Sequence, residues 1–406
     1  MRLRIKEICD YVSRGTTPDY VDEGANKVMN QATFSKGWLD ESNIRYTSKA
    51  NKGARIMKGD LLMASTGGGV LGKVFFFDDD DSFYADSHVT IMRNSKGANL
   101  MKYLYYYFYL RYDEINATMV KGSTNQTELQ RNYLLSYELD VPTLADQQRM
   151  VTYLDTKLSE IDHQVSLLTS KRDAYLRLKK SIINHAVTHG LNPNVKMKDS
   201  GIEWIGEVPE HWEVKRMKDI CALSPNIKSC SEYEYGSYLP MEGLRLDQIE
   251  TSDELVSTLQ GKYTPFEDND LLVAKVTPCF ENGNIAIAKG LTNGVGFGSS
   301  EIFVLRANKY NNIRFLFYMS LSSKFQDKAC ATMCGVGGLK RISPLFMKTY
   351  IMAIPPSTEQ RAIATYLDDK CAKIDTIVSN LDKQISRYGD LKRSLIEEVI
   401  TGKRAV

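Results

Sequence analysis

Shifted by 213 residues, the second half of this chain falls on the first without a gap. Pro142 meets Pro355, Gln147 meets Gln360, and Thr152-Tyr153-Leu154-Asp155 meets Thr365-Tyr366-Leu367-Asp368. Further on, Ile161-Asp162, Val165-Ser166, Tyr175, Leu178-Lys179 and Thr188 meet Ile374-Asp375, Val378-Ser379, Tyr388, Leu391-Lys392 and Thr401. A match sustained at one offset marks a duplicated structural unit, so two copies of one arrangement must be accommodated.

Inside the repeat, apolar residues recur at alternating spacings of three and four. The seam reads Leu154, Leu158, Ile161, Val165, Leu168 in one copy and Leu367, Cys371, Ile374, Val378, Leu381, Ile385 in the other. That period predicts two coiled-coil helices, each roughly 65–70 Å long at about 1.5 Å per residue. Each opens after a proline; the first closes at His189-Gly190 and the second at Gly402. Each needs a seam partner, and the economical partner is the other copy.

The flanking segments repeat more weakly. Lys58-Gly59-Asp60-Leu61-Leu62 resembles Asp268-Asn269-Asp270-Leu271-Leu272, and Ser87 to Arg93 resembles Ser300 to Arg306. Short strands are predicted at Leu61–Ala64, Lys73–Phe77 and Val89–Arg93, and at Leu271–Lys275, Ile285–Lys289 and Ile302–Leu305. An aromatic helix follows each set, at Leu100–Asn116 and Ile313–Met333, where helical spacing favours core packing over base stacking. The fold expected is α/β in the α+β sense. It has modules at 1–141 and 214–353, helices at 142–190 and 354–406, and a polar linker at 191–213. The helices pair antiparallel with pseudo-twofold symmetry.

Several classes fall away. No apolar run approaches the roughly 20 residues of a membrane span, and charged residues stand where a signal peptide needs its apolar core. The seven cysteines (9, 221, 230, 279, 330, 334, 371) lack paired spacing and read as reduced thiols of a cytoplasmic protein with no metal site. No P-loop is present, and Gly67-Gly68-Gly69 reads as a turn. Residues 1–141 carry 18 basic and 18 acidic groups, and residues 200–353 carry 16 and 18. Modules this neutral would have to gather their cations on one face to hold nucleic acid.

The chain resembles the specificity subunits of Type I restriction-modification enzymes. The likeness rests on Pro142 through Gln148 and Ile354-Pro-Pro-Ser-Thr-Glu-Gln360, on Lys180-Ser-Ile-Ile and Arg393 through Gly402, and on Asp199-Ser-Gly-Ile-Glu-Trp-Ile-Gly-Glu-Val-Pro-Glu-His-Trp212. This last peptide precedes only the second module, so the symmetry is incomplete. The resemblance implies a non-catalytic subunit whose modules each read half of a bipartite, asymmetric site on double-stranded DNA. The helices would set the gap and dock two methyltransferase subunits. S-adenosylmethionine, ATP and Mg would belong to those partners and to restriction subunits, which together would methylate adenine and cleave DNA. No Asn-Pro-Pro-Phe/Tyr methylase tetrapeptide occurs here.

Base readout needs amide and bidentate side chains, while phosphates need Lys, Arg and hydroxyls. The loop-borne candidates are Ser65, Thr66, Lys73, Lys121, Ser123, Thr124, Asn125 and Gln126 in the first module. In the second they are Lys275, Thr277, Asn282, Asn284, Lys340 and Arg341. A coiled-coil adaptor whose modules bind proteins is the competing expectation, and near-neutral charge is its support.

Overall fold

The computed structural model describes every residue except 50, 96, 123–126, 228–231 and 337. It contains two compact units, Met1–Leu168 with Lys383–Val406, and Thr169–Asp382. The long helices Leu144–His189 and Ser357–Ile400 each give one part to either unit. No helix among the described residues is long and apolar enough to cross a membrane.

The first unit holds a four-stranded antiparallel sheet in the order Tyr11–Arg14, Val89–Arg93, Leu61–Ala64, Val74–Phe76. Its centre, Leu61–Ala64, is buried at every position. A second sheet of five short strands includes one parallel pair, Asn26–Met29 with Phe83–Ala85. The second unit repeats this plan. Cys221–Leu223, Ile302–Ala307, Leu271–Ala274 and Ile285–Ile287 form a sheet of the same order. Its second sheet has four strands and again one parallel pair, Tyr235–Leu239 with Val295–Gly298. The aromatic segments are each two helices rather than one, Ala98–Leu110 with Tyr112–Thr118 and Ile313–Ser320 with Ser323–Ala331. Tyr103, Leu104, Phe108, Phe315 and Leu316 are buried, as expected for core packing.

In the first unit Leu154, Leu158 and Ile161 share a core with Leu395, Ile396 and Val399. In the second, Ile183, Ala186 and Val187 share one with Ile363, Leu367 and Cys371. The early part of one helix thus meets the late part of the other in each unit, which is antiparallel pairing. Each fully buried leucine contributes about 1.5–3 kcal/mol. Ile374 and Leu381 are also buried, whereas Val165, Leu168, Val378 and Ile385 are half-buried, because a two-helix seam leaves one flank open. The repeated proline and glutamine close each helix start. Gln147 Nε2 donates to the Pro142 carbonyl at 2.8 Å, and Gln360 Nε2 to that of Pro355 at 2.9 Å.

The stretch expected to be a polar linker is folded. Met197–Asp199 and Glu207–Pro209 form a hairpin, and Ile205, Val208 and Trp212 lie in the core of the second unit. Gly190 has φ +77°, and a Cβ there would stand 2.9 Å from Glu359 Oε1 and 3.3 Å from the Trp212 ring. Glu359 in turn accepts from Trp212 Nε1 at 3.3 Å and is bonded to His211 Nε2 at 2.7 Å. A glycine takes that positive φ without strain and leaves Glu359 and Trp212 undisturbed at the end of the first long helix.

Candidate nucleic-acid interface

In both modules the central strand runs out into the loop that carries the candidate residues, and a short hairpin is stitched to its end. In the first module Val120–Lys121 pairs with Glu128–Leu129, Thr66 bridges to Glu128, and Leu129 N–H donates to the Ser65 carbonyl at 2.8 Å. In the second Cys334–Val336 pairs with Leu339–Arg341, Val276 bridges to Arg341, and Ile342 N–H donates to the Lys275 carbonyl at 2.9 Å. The two edges are therefore equivalent, and Thr66 with Lys121, and Lys275 and Thr277 with Lys340 and Arg341, are brought together.

The strand beneath each edge is pinned by the same buried ion pair. Arg93 meets both oxygens of Asp60 at 2.7 Å, and Arg306 meets those of Asp270 at 2.7 and 2.6 Å. Each carboxylate also accepts a backbone N–H, from Met57 and Glu267. Burial pushes the Asp60 carboxyl above its ordinary range, against the pull of Arg93. The repeat had matched these four positions, but nothing in their sequence marked the carboxylates as buried.

Side chains at the two edges differ. Ser65 requires correction as a surface candidate: it is fully buried, its hydroxyl 2.6 Å from that of Thr90 in the core. Thr66 Oγ1 meets His88 Nδ1 at 2.6 Å, and Lys121 is exposed. Ser123, Thr124, Asn125 and Gln126 lie outside the described residues. Thr277 also requires correction. It is buried, and its hydroxyl donates to Gly338 O at 2.9 Å and accepts from Lys340 N–H at 3.0 Å, so it shapes the hairpin. Asn284 is buried as well. Lys275 donates to Ser300 O at 2.5 Å over the Phe303 ring, and burial lowers its pKa. Lys340 is exposed. Lys73 accepts from Ala64 N–H at 2.9 Å, but its side chain donates to Ser35 O at 2.8 Å, and Asn282 lines a cleft of ≈ 670 Å³ beside the long helices.

One contrast was not foreseen. Hairpin positions 128 and 341 are equivalent, yet Glu128 pairs with Arg14 while Arg341 pairs with Glu301 at 2.9–3.0 Å. Each edge thus carries one ion pair, with the acid on the hairpin in the first module and the base on the hairpin in the second. An arginine there suits the two acceptors of guanine, and a carboxylate suits an amino donor such as that of cytosine.

The family model for the Type I restriction modification DNA specificity domain matches residues 1–167 and 209–387. The specificity subunit of Type I restriction enzyme EcoEI from Escherichia coli is 29% identical over 199 residues, 48% of this chain and 33% of that protein. That of MjaVIII from Methanocaldococcus jannaschii is 20% identical over 327 residues, 77% of this chain and 73% of that protein. The match thus spans about a third of the length of the EcoEI relative and of a similar EcoAI subunit. A chain solved in work on complex assembly and conformational transition of the type I R-M system shares the fold. Its TM-score is 0.69 and its identity 13%, over 98% of this chain and 97% of that one.

Proposed function

This chain belongs to the Type I restriction-modification DNA specificity family, and from that premise we propose that it is the sequence-reading, non-catalytic subunit of such a complex. Each module reads one half of a bipartite, asymmetric site on double-stranded DNA, and the paired helices set the spacing. What carries this reading is the equivalent hairpin edge in the two modules, the same in backbone and opposite in charge at positions 128 and 341. Equal frames with unequal side chains suit two halves of an unsymmetrical site. Thr66, Lys121, Lys275, Lys340 and Arg341 are its contact residues, with Glu128 added.

Two methyltransferase subunits dock on the helices, and restriction subunits join the assembly in the cytoplasm. The partners bring S-adenosylmethionine, ATP and Mg. Leu178 and Leu391, one residue of the repeat in two copies, support this: they are 46% and 50% exposed on otherwise paired helices. The test is co-expression with a candidate methyltransferase subunit, followed by mapping of methylated adenines in the host genome. One bipartite motif is expected, lost when this chain is omitted. Methylation that does not depend on the chain, or a complex that selects no duplex, would favour the protein-adaptor reading.

A further inference from the structure

In the first unit Asp155 of the long helix receives Tyr106 Oη at 2.6 Å and Lys102 Nζ at 2.7 Å, both from the aromatic helix. In the second unit Asp368 receives Tyr318 Oη at 2.6 Å and Arg314 Nε at 2.7 Å. Asp155 and Asp368 are one position of the long repeat. Lys102-Tyr103-Leu104-Tyr105-Tyr106 stands in the place of Arg314-Phe315-Leu316-Phe317-Tyr318. Cation and phenol sit four residues apart, one turn along the same helix face.

The repeat contains its own control. Three tyrosines, 103, 105 and 106, occupy the first segment, and two of them are phenylalanine in the second. The hydroxyl persists only where it reaches the aspartate. Tyr103 and Phe315 are both buried in their cores, so burial alone tolerates either ring. Bulk attachment of module to helix comes from apolar contacts around Leu154 and Leu367, and apolar burial has no preferred direction. Hydrogen bonds do have one. The aspartate side chains are 37% and 45% exposed, so the clamps add little to stability.

We propose that Tyr106 with Lys102 on Asp155, and Tyr318 with Arg314 on Asp368, are positioning clamps that fix the angle of each module on its long helix. In the specificity reading, on which the DNA arm of the test rests, that angle determines how far a change of spacer is tolerated. Arg314 extends its clamp to Asp247 in the module, its Nη2 donating at 2.7 Å.

The test compares Tyr106→Phe, Tyr318→Phe and their combination with Tyr103→Phe and Tyr105→Phe, in the full chain. Spin labels on unnatural amino acids at the exposed Ser42 and Gln164, both in the first unit, report the spread of module-to-helix distances without DNA. Tyr106→Phe should widen that spread while leaving Tm nearly unchanged, and Tyr103→Phe and Tyr105→Phe should not widen it. With the methyltransferase partner bound, the double variant should lose about threefold of its preference for the native spacer over one base pair more or less, while half-site preferences stay. Equal spread in Tyr106→Phe and wild type would overturn the clamp. A spread widened in Tyr106→Phe, together with a wild type that selects no bipartite DNA at all, would leave the clamp standing and overturn the specificity reading instead. A fall in Tm matching the loss of every other property would reduce the clamps to plain structural bonds and overturn the proposal.

Discussion

Lys179 grips both carboxylate oxygens of Asp375, at 2.6 and 2.7 Å, and its counterpart Lys392 grips those of Asp162 at 2.8 and 2.9 Å. The residue numbers in each pair add to 554, as they do for Arg172 and Asp382. The two units therefore use one antiparallel register. Because the seam is apolar, such pairs forbid a slip that apolar contacts alone would permit.

Reversing one charge, as in Asp375→Lys or Lys179→Asp, should cost about 0.5–1 kcal/mol, since these pairs are partly exposed. The double reversal should recover most of it. Urea unfolding of the four proteins gives the coupling energy, and a coupling of zero would remove the pair from the account of register.

Leu154→Asp and Leu367→Asp should each lose about 4 kcal/mol or more, because both side chains are fully buried and a carboxylate there finds no partner. Leu178→Asp, at 46% exposure, should stay within about 0.5 kcal/mol. In the methyltransferase-bound state the order should invert in part: Leu178→Asp and Leu391→Asp should weaken partner binding, measured by titration calorimetry.

Arg93→Leu leaves Asp60 buried without its cation, at a cost of about 3–5 kcal/mol near neutral pH. The sign with pH follows from burial, which already holds this carboxyl above its unfolded value. A carboxyl raised in the folded state destabilises it as pH climbs through that range and the unfolded chain ionises first. The deficit against wild type should therefore be smallest near pH 4 and grow toward pH 7 in denaturant titrations. A deficit constant with pH would mean that the leucine's misfit, rather than the lone carboxylate, does the damage.

Arg341→Ala should relax selection at one base of one half-site, by about 1–3 kcal/mol, and leave the other half-site unchanged. Lys340→Ala should weaken binding to all sequences alike and flatten its salt dependence, as a phosphate contact does. Selection from a randomised duplex pool reads both. Loss of selectivity at every base of its own half-site would mean that Arg341 acts through the fold of its hairpin.

The duplication, the paired helices and the centre of each main sheet were legible, because their apolar periods are long or their strands fully buried. The second sheet of each module was not. Its strands run from two to five residues, carry no clear alternation, and pair with segments far away in sequence, as Asn26–Met29 does with Phe83–Ala85. Residues 191–213 looked like a linker because polar residues outnumber the apolar ones. Yet the spacing of Ile202, Trp204, Ile205, Val208 and Trp212 was a visible sign of burial. The hairpin edges were half legible. Glycines marked the loops, but Ser65 and Thr277 look like surface hydroxyls until their strands are placed and the hydroxyls find Thr90 and Gly338. The Asp60–Arg93 pair depends on a contact across 33 residues that no local pattern announces.

The composition of the first unit has a temporal consequence. Its core includes Leu395, Ile396 and Val399, while every residue of the second unit lies between 169 and 382. A ribosome therefore delivers all of the second unit before the first can be finished. Until residues 395–399 emerge, Leu154 and Leu158 lack part of the core that covers them. The part of the chain made earliest is the part completed last, and premature termination beyond residue 382 would spare one unit while leaving the other open.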